Sequence, residues 1–314
     1  MRTTRLFKTS ISIATTAGLT ALLGLSNIAQ AAESAPSEHF DLLGWTISVP
    51  VDENNDGKSD QIKEKELANG YVHPEFFYMN DDAGMVFNAP IAGPKTSKNT
   101  TYTRSELREM IRRGDTKFDT KGVGGNNWVL SSAPKEDQAK AGGVDGTLEA
   151  TLKVDHVTTT GESYQVGRVI IGQIHANNDE PIRLYYRKLP NHEKGSIYFA
   201  HEPRKDFGDE QWYTLIGTNE PSYQNQDAKP AQPEDGIKLG EKFSYRIQTQ
   251  GNDLTVTIMR PGKPDVSKTV DMSKSGYDQG GQYLYFKAGV YNQNKSGSPE
   301  DYAQATFYKV STQH

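Results

Sequence analysis

The sequence predicts an all-β protein: a β-jelly-roll sandwich of two antiparallel sheets with one concave outer face forming a groove. Three observations carry this. Short runs with period-2 alternation recur along the chain; Gly, Asn, Asp and Pro bound them; and only "SDQIKEKELANG", residues 59–70, has a helical pattern. In order, the strand candidates are "GWTISV" from 44, "EFFYM" from 75, "TYTRSELREM" from 101, "NWVLS" from 127, "GTLEATLKVDHV" from 146 and "VGRVIIGQIHA" from 166. They continue with "IRLYYRKL" from 182, "GSIYFAHE" from 195, "QWYTLIG" from 211, "FSYRIQTQ" from 243, "DLTVTIMR" from 253, "YLYFKAGVYNQ" from 283 and "ATFYKVS" from 305. Thirteen strands fit two large stacked sheets better than a small barrel. The loops 176–181 and 219–236 are long enough to flank the groove as lids.

Residues 1–31 read as a secretory signal peptide. Arg2, Arg5 and Lys8 form its positive end, Ile11 to Leu25 its apolar stretch, and Ala29-Gln30-Ala31 its cleavage site. The apolar stretch is too short and too rich in Thr and Ser for a membrane anchor. The expectation is a soluble exported protein with residues 32–314 as a single domain. No cysteine is present, so the core must stabilise the fold without disulfides. Removing the three signal cations takes the net charge from −5 to −8, which argues against nucleic acid and anionic membrane as partners. A monomer is expected.

Three stretches stand out chemically. In "TRSELRE" the charged residues Arg104, Glu106 and Arg108 share one strand face, where a sheet of a soluble protein usually has a plain apolar or mixed polar row. They suit either a solvated surface with weak ion pairs or the floor of a polar cleft. In the cleft reading, two guanidiniums held apart by a carboxylate would grip acidic groups. In "GQIHA", Gln173 and His175 share a face, and the amide beside the imidazole raises His175 above the other histidines as a functional candidate. In "YLYFKAGVYNQ", Tyr285, Lys287, Gly289, Tyr291 and Gln293 fall on one face, with Phe286, Ala288 and Val290 on the other. Joined on neighbouring strands, these rows would make one groove suited to an extended, negatively charged sugar chain.

"RSELRE", "QIH" and "YFKAGVYNQ", in that order, resemble the three signature regions of the family 7 polysaccharide lyases, the alginate lyases with a β-jelly-roll fold. The flanking "FDLLGWTISVPVD" and "NNDEPIRLYYRK" extend the likeness. The resemblance implies β-elimination at the uronic acids of alginate, with no metal or cofactor. By analogy Arg108 and Gln173, helped by Arg104 and Lys287, bind the uronate carboxylate, and Glu106 orients the arginines. His175 is the base for guluronate. Tyr291 is the acid, and for mannuronate both acid and base, which would require nearby cations to lower its pKa. Tyr285 and Gln293 are assigned to substrate binding. The Gln-Ile-His form of the second motif points to guluronate-containing blocks.

Two other readings carry less. "DENNDGKSD", residues 52–60, starts like a calcium loop, but Lys63 stands where a bidentate Glu is needed. A glycoside hydrolase needs two carboxylates across the scissile bond, whereas Glu106 and Glu109 alternate to opposite faces. A non-catalytic sugar-binding module would usually rely on an aromatic platform.

Overall fold

The computed structural model describes Met1 and residues 34–314; the expected signal peptide, apart from Met1, lies outside the described residues. Two large antiparallel sheets make up the jelly-roll sandwich. The seven-stranded sheet runs in the order Val266–Asp271, Asp253–Met259, Phe243–Gln250, Gly146–His156, Tyr302–Gln313, Met85–Pro90, Phe77–Met79. The nine-stranded sheet runs Gln211–Ile216, Lys194–His201, Ile182–Arg187, Arg168–His175, Tyr285–Asn292, Arg104–Glu109, Trp45–Val49, Asp60–Ile62, with Ile237–Lys238 added beside Lys194–His201.

The sheets differ in what covers their outer faces. In Gly146–His156, Leu148, Ala150, Leu152 and Val154 are buried, and the intervening Thr147, Glu149, Thr151, Lys153 and Asp155 reach solvent, as expected for a sheet with one wet face. In Arg104–Glu109, by contrast, Ser105, Leu107 and Glu109 point into the sandwich, and Glu106 on the other face is buried as well. The nine-stranded sheet is therefore walled over on its outside, and that recess holds the site. Between the sheets, Ile47, Leu107, Phe286 and Val290 meet Leu148, Leu152, Ile247 and Phe307 in one core. Each such side chain contributes about 1.5–3 kcal/mol on burial.

All thirteen expected strands are present, at least in part. Of the helical stretch only Glu64–Ala68 is helix, because Asp60–Ile62 pairs with Trp45–Val49 as the edge of the nine-stranded sheet. The loop at 52–60 closes on itself. Asp52 accepts from the amides of Asp56 and Gly57, Asp60 from the amide of Glu53 and the side chain of Asn54, and Asp56 from the amide of Lys58.

Candidate active site

Strand register brings the three stretches together. The Tyr285–Asn292 strand lies between the other two, placing Lys287 opposite both Arg108 and Gln173, Tyr285 opposite His175, and Tyr291 opposite Arg104. Gly289 sits opposite Glu106 at φ +136, where a Cβ would come within 2.7 Å of the Ser105 carbonyl oxygen. Only glycine allows this close approach.

Glu106 is the hub. Its carboxylate accepts from Lys287 Nζ, from Gln173 Nε2 and, at 2.9 Å, from Arg104 Nη1. Burial opposes its ionisation, but Lys287 and Arg104 outweigh that and hold its pKa below the ordinary value. Lys287 is pushed down to about 8 by burial and then by Arg104, with Glu106 pulling the other way. Arg108 departs from expectation, since Glu106 does not orient it. Both Glu106 oxygens are already taken, and Arg108 turns aside to donate to the Thr120 carbonyl oxygen at 2.6 Å and Asn127 Oδ1 at 3.2 Å. Its guanidinium lies 4.0 Å from the centroid of the Tyr285 ring. Tyr285 in turn stacks on His175 at 5.0 Å, with its own pKa raised to about 12 by burial.

His175 Nδ1 lies 2.6 Å from the Ala176 carbonyl oxygen, which can only accept, so the neutral ring carries its proton on Nδ1 and leaves Nε2 with a free lone pair. Burial, then the charge of Lys287, push its pKa down to about 4, so the imidazole is neutral near pH 7. Glu180 Oε1 stands 3.2 Å from Nε2, placed to steady an imidazolium once a proton arrives. Tyr291 contradicts the expectation of a lowered pKa: burial raises it, and the Arg104 guanidinium, 3.7 Å from the ring centroid, only partly offsets this. Desolvation of the phenolate outweighs the cation, so Tyr291 rests protonated. Gln293 follows the strand and is buried, with a side-chain amide nitrogen that meets no partner among the described residues as it lines the cleft.

The cleft holds about 490 Å³ and includes Arg104, His175, Glu180, Lys287, Tyr291 and Gln293 in its lining. A second cavity of about 470 Å³ shares Gln61, Thr96, Arg108 and Tyr285 with it and extends to Arg112 and Lys121. Arg113, the next residue along the chain from Arg112, pairs with Asp41. The loop 176–181 is pinned by Asn177, which donates to the Gly281 carbonyl and accepts from the Tyr283 amide. The loop 219–236 is fastened at its start by buried Arg187, which donates to the carbonyls of Asn219 and Pro221. Sequence reasoning did not single out Glu180, Asn127 or Arg183. Arg183 lies opposite Gln173 and pairs with Glu202 and Glu210. Its signal was available in the Arg183-Tyr185-Arg187 alternation of "IRLYYRKL".

Chemically, the site offers buried cations for a carboxylate, a neutral imidazole whose unprotonated Nε2 has Glu180 beside it, and a protonated phenol. It does not offer a pair of free carboxylates. Glu106 is committed to its cations and Glu109 faces inward, accepting from the Phe286 amide and pairing with His314 at 2.8 Å.

A sequence profile of the alginate lyase family matches residues 40–314. The chain is 72% identical over 285 residues to an alginate lyase of Klebsiella pneumoniae, covering 91% of this chain and 93% of that protein. The crystal structure of the alginate lyase from Klebsiella pneumoniae superposes with a TM-score of 0.89 at 72% identity, covering 89% of this chain and 98% of that one. An alginate lyase of Pseudomonas aeruginosa superposes at 0.61 with 27% identity, covering 88% of this chain and 100% of that chain. An exolytic family 7 lyase of Zobellia galactanivorans, at 23% identity, shares the fold with a TM-score of 0.65 over 89% of this chain and 97% of its own. On its motifs, its fold and these matches, the chain belongs to the alginate lyases of polysaccharide lyase family 7.

Proposed function

We propose that this protein is a secreted, monomeric, endolytic alginate lyase that favours guluronate-containing blocks and leaves an unsaturated uronate at the new non-reducing end. The observation that carries the chemistry is the buried Glu106–Lys287–Arg104–Gln173 cluster lying between a neutral His175 and a protonated Tyr291.

The hydrogen on C5 of a uronate is a poor acid while the adjoining carboxylate is charged. Bound over the row Arg108–Lys287–Gln173, with Arg104 beside it, that carboxylate is neutralised, and the dianionic state formed on proton loss meets fixed donors. His175 Nε2 takes the C5 proton, and the C–H electrons pass into the carboxylate to give the dianion. They return to form the C4–C5 double bond as the C4–O bond breaks, and Tyr291 gives its proton to the departing oxygen. Glu180 steadies the imidazolium. On mannuronate, where hydrogen and leaving oxygen share a side, Tyr291 would serve both steps, and its raised pKa makes this route slower at neutral pH. Endolysis is favoured by the shared lining of the two cavities, which lengthens the groove from the reacting groups toward Arg112 and Lys121. In "QIH", Ile174 is fully buried in the core. The guluronate preference therefore acts through how Ile174 seats Gln173 and His175, not by touching sugar.

The assay is ultraviolet absorbance of the unsaturated product. PolyG should give a faster rise than polyM, with chain length falling early; reducing ends without absorbance would indicate hydrolysis and overturn the reading. A second expectation concerns pH. The base form of His175 dominates above about pH 4 and charged Lys287 below about pH 8. A profile of kcat/KM should thus rise through the first value and fall through the second. Lys287→Arg should move the alkaline limb upward, because a guanidinium keeps its charge there; an unmoved limb would remove Lys287 from that role.

A further inference from the structure

The outer face of the nine-stranded sheet carries a second polar recess, away from His175. It holds about 170 Å³ and is lined in part by Arg168, Tyr198, Glu210, Trp212, Ser222 and Tyr223. A register shift near Gly172 creates it: Gly172 pairs with Leu184, but Ile170 pairs with Tyr185, leaving Ile171 as an extra residue. The bulge resets the alternation. Ile170 and Arg168 then face the groove side, and Ile170 packs with Tyr185, Tyr198 and Tyr291 in a cluster separate from the main core.

Arg168 has an unusual environment. It makes no salt bridge among the described residues, its Nε lacks a hydrogen-bond partner, and Nη1 donates only to the Tyr164 carbonyl oxygen at 3.1 Å. Its guanidinium lies 5.1 Å from the centroid of Tyr185 and 5.8 Å from that of Trp212. The Tyr198 side chain is buried, with its hydroxyl beside the guanidiniums of both Arg168 and Arg187. Trp212 and Tyr223, by contrast, are among the few large apolar side chains left exposed, at 37% and 67%. The one carboxylate in the lining, Glu210, is neutralised by Arg183. A cation that no protein carboxylate answers, with exposed aromatic faces beside it and a wall from the loop 219–236, is the chemistry that recognises a sugar acid: the rings take an apolar sugar face and the guanidinium its carboxylate.

We propose that Arg168, Tyr198, Trp212 and Tyr223 form an outer subsite that binds a uronate residue of the same alginate chain, beyond the sugars that flank the bond being cut. Tyr291 aligns with Ile170, Tyr185 and Tyr198 on successive strands; Arg168 lies on the strand next to that of Tyr291, and Tyr198 and Trp212 lie three and four strands away, so the recess runs outward from the acid in strand spacings of about 4.8 Å. Arg183 of the cleft pairs with Glu210 of the recess, so the two regions adjoin. The subsite would reward long chains over short ones.

This inference rests on the lyase reading, and the test separates the two. Trp212→Ala and Arg168→Gln are compared with wild type on long alginate and on the shortest oligosaccharide cleaved. Affinity for uncut alginate is measured on the Tyr291→Phe background, where the subsite is read without turnover. The expected result is a loss of about tenfold in kcat/KM and in affinity on the long chain, at least fivefold greater than any loss on the short one. Equal losses on both lengths, or none on the polymer in Trp212→Ala, whose exposed ring can be removed without unfolding, would overturn the subsite. An absence of unsaturated product in wild type would overturn the lyase reading, while the affinity comparison would still decide the subsite.

Discussion

Replacing Tyr291 by phenylalanine is expected to lower kcat by roughly 10²–10⁴-fold, the usual worth of a positioned general acid, while the protein stays folded. The ring would keep its packing against Arg104 and Tyr102, so only the proton donor is lost. With no group to protonate the leaving oxygen, C4–O cleavage must expel an alkoxide. The resting phenol, held protonated by burial, is what makes the substitution so costly. The fall should appear in kcat and kcat/KM together, because the lost interaction belongs to the transition state. His175→Ala is expected to behave similarly on polyG and to cost less on polyM, where the tyrosine takes both steps. Steady-state absorbance kinetics with circular dichroism of each variant check this; wild-type kcat in Tyr291→Phe would take that residue out of the reaction.

The second large effect is on stability. Glu106→Gln preserves volume but leaves Lys287 and Arg104 buried beside each other without their shared anion. Breaking a buried pair in this way costs about 3–5 kcal/mol. The effect has a pH signature. The pKa of Glu106 is depressed in the fold below the ordinary 4.5, so its contribution is complete above that value and is lost as pH falls through the depressed one. The difference in thermal stability between wild type and Glu106→Gln should thus be largest at neutral pH and shrink on acidification below about pH 4.5. Thermal denaturation across pH measures it; a gap that stays constant into acid would show that the ion cluster is not its source.

Much of this was legible in the sequence because period-2 alternation is a direct readout of sheet faces. The grouping of Arg104, Glu106 and Arg108, of Gln173 with His175, and of Tyr285, Lys287 and Tyr291 needed only that rule. What the rule could not supply was register and loop geometry. Arg168 was hidden because the bulge at Ile171 reverses the alternation counted from Gln173. Asn127, which holds Arg108, comes from a segment about 20 residues along the chain, and Glu180 from a turn whose partner is set by folding. The strand Met85–Pro90 lies inside the seven-stranded sheet yet reads Met-Val-Phe-Asn-Ala-Pro, a short run without strict alternation that ends on a proline, a pattern that suggests an edge or no strand at all. The direction of the Tyr291 shift is not legible in the sequence for a different reason: nearby cations are visible there, whereas the desolvation that outweighs them is a property of the packed cleft.

The most direct measurement is a crystal structure of the Tyr291→Phe variant bound to a guluronate-containing oligosaccharide. The uronate carboxylate should lie within hydrogen-bond reach, about 3.2 Å, of donors in the Arg108–Lys287–Gln173 row, with its C5 hydrogen aimed at His175 Nε2. A carboxylate bound elsewhere in the groove, or a C5 hydrogen turned away from that nitrogen in the bound chain, would contradict the account.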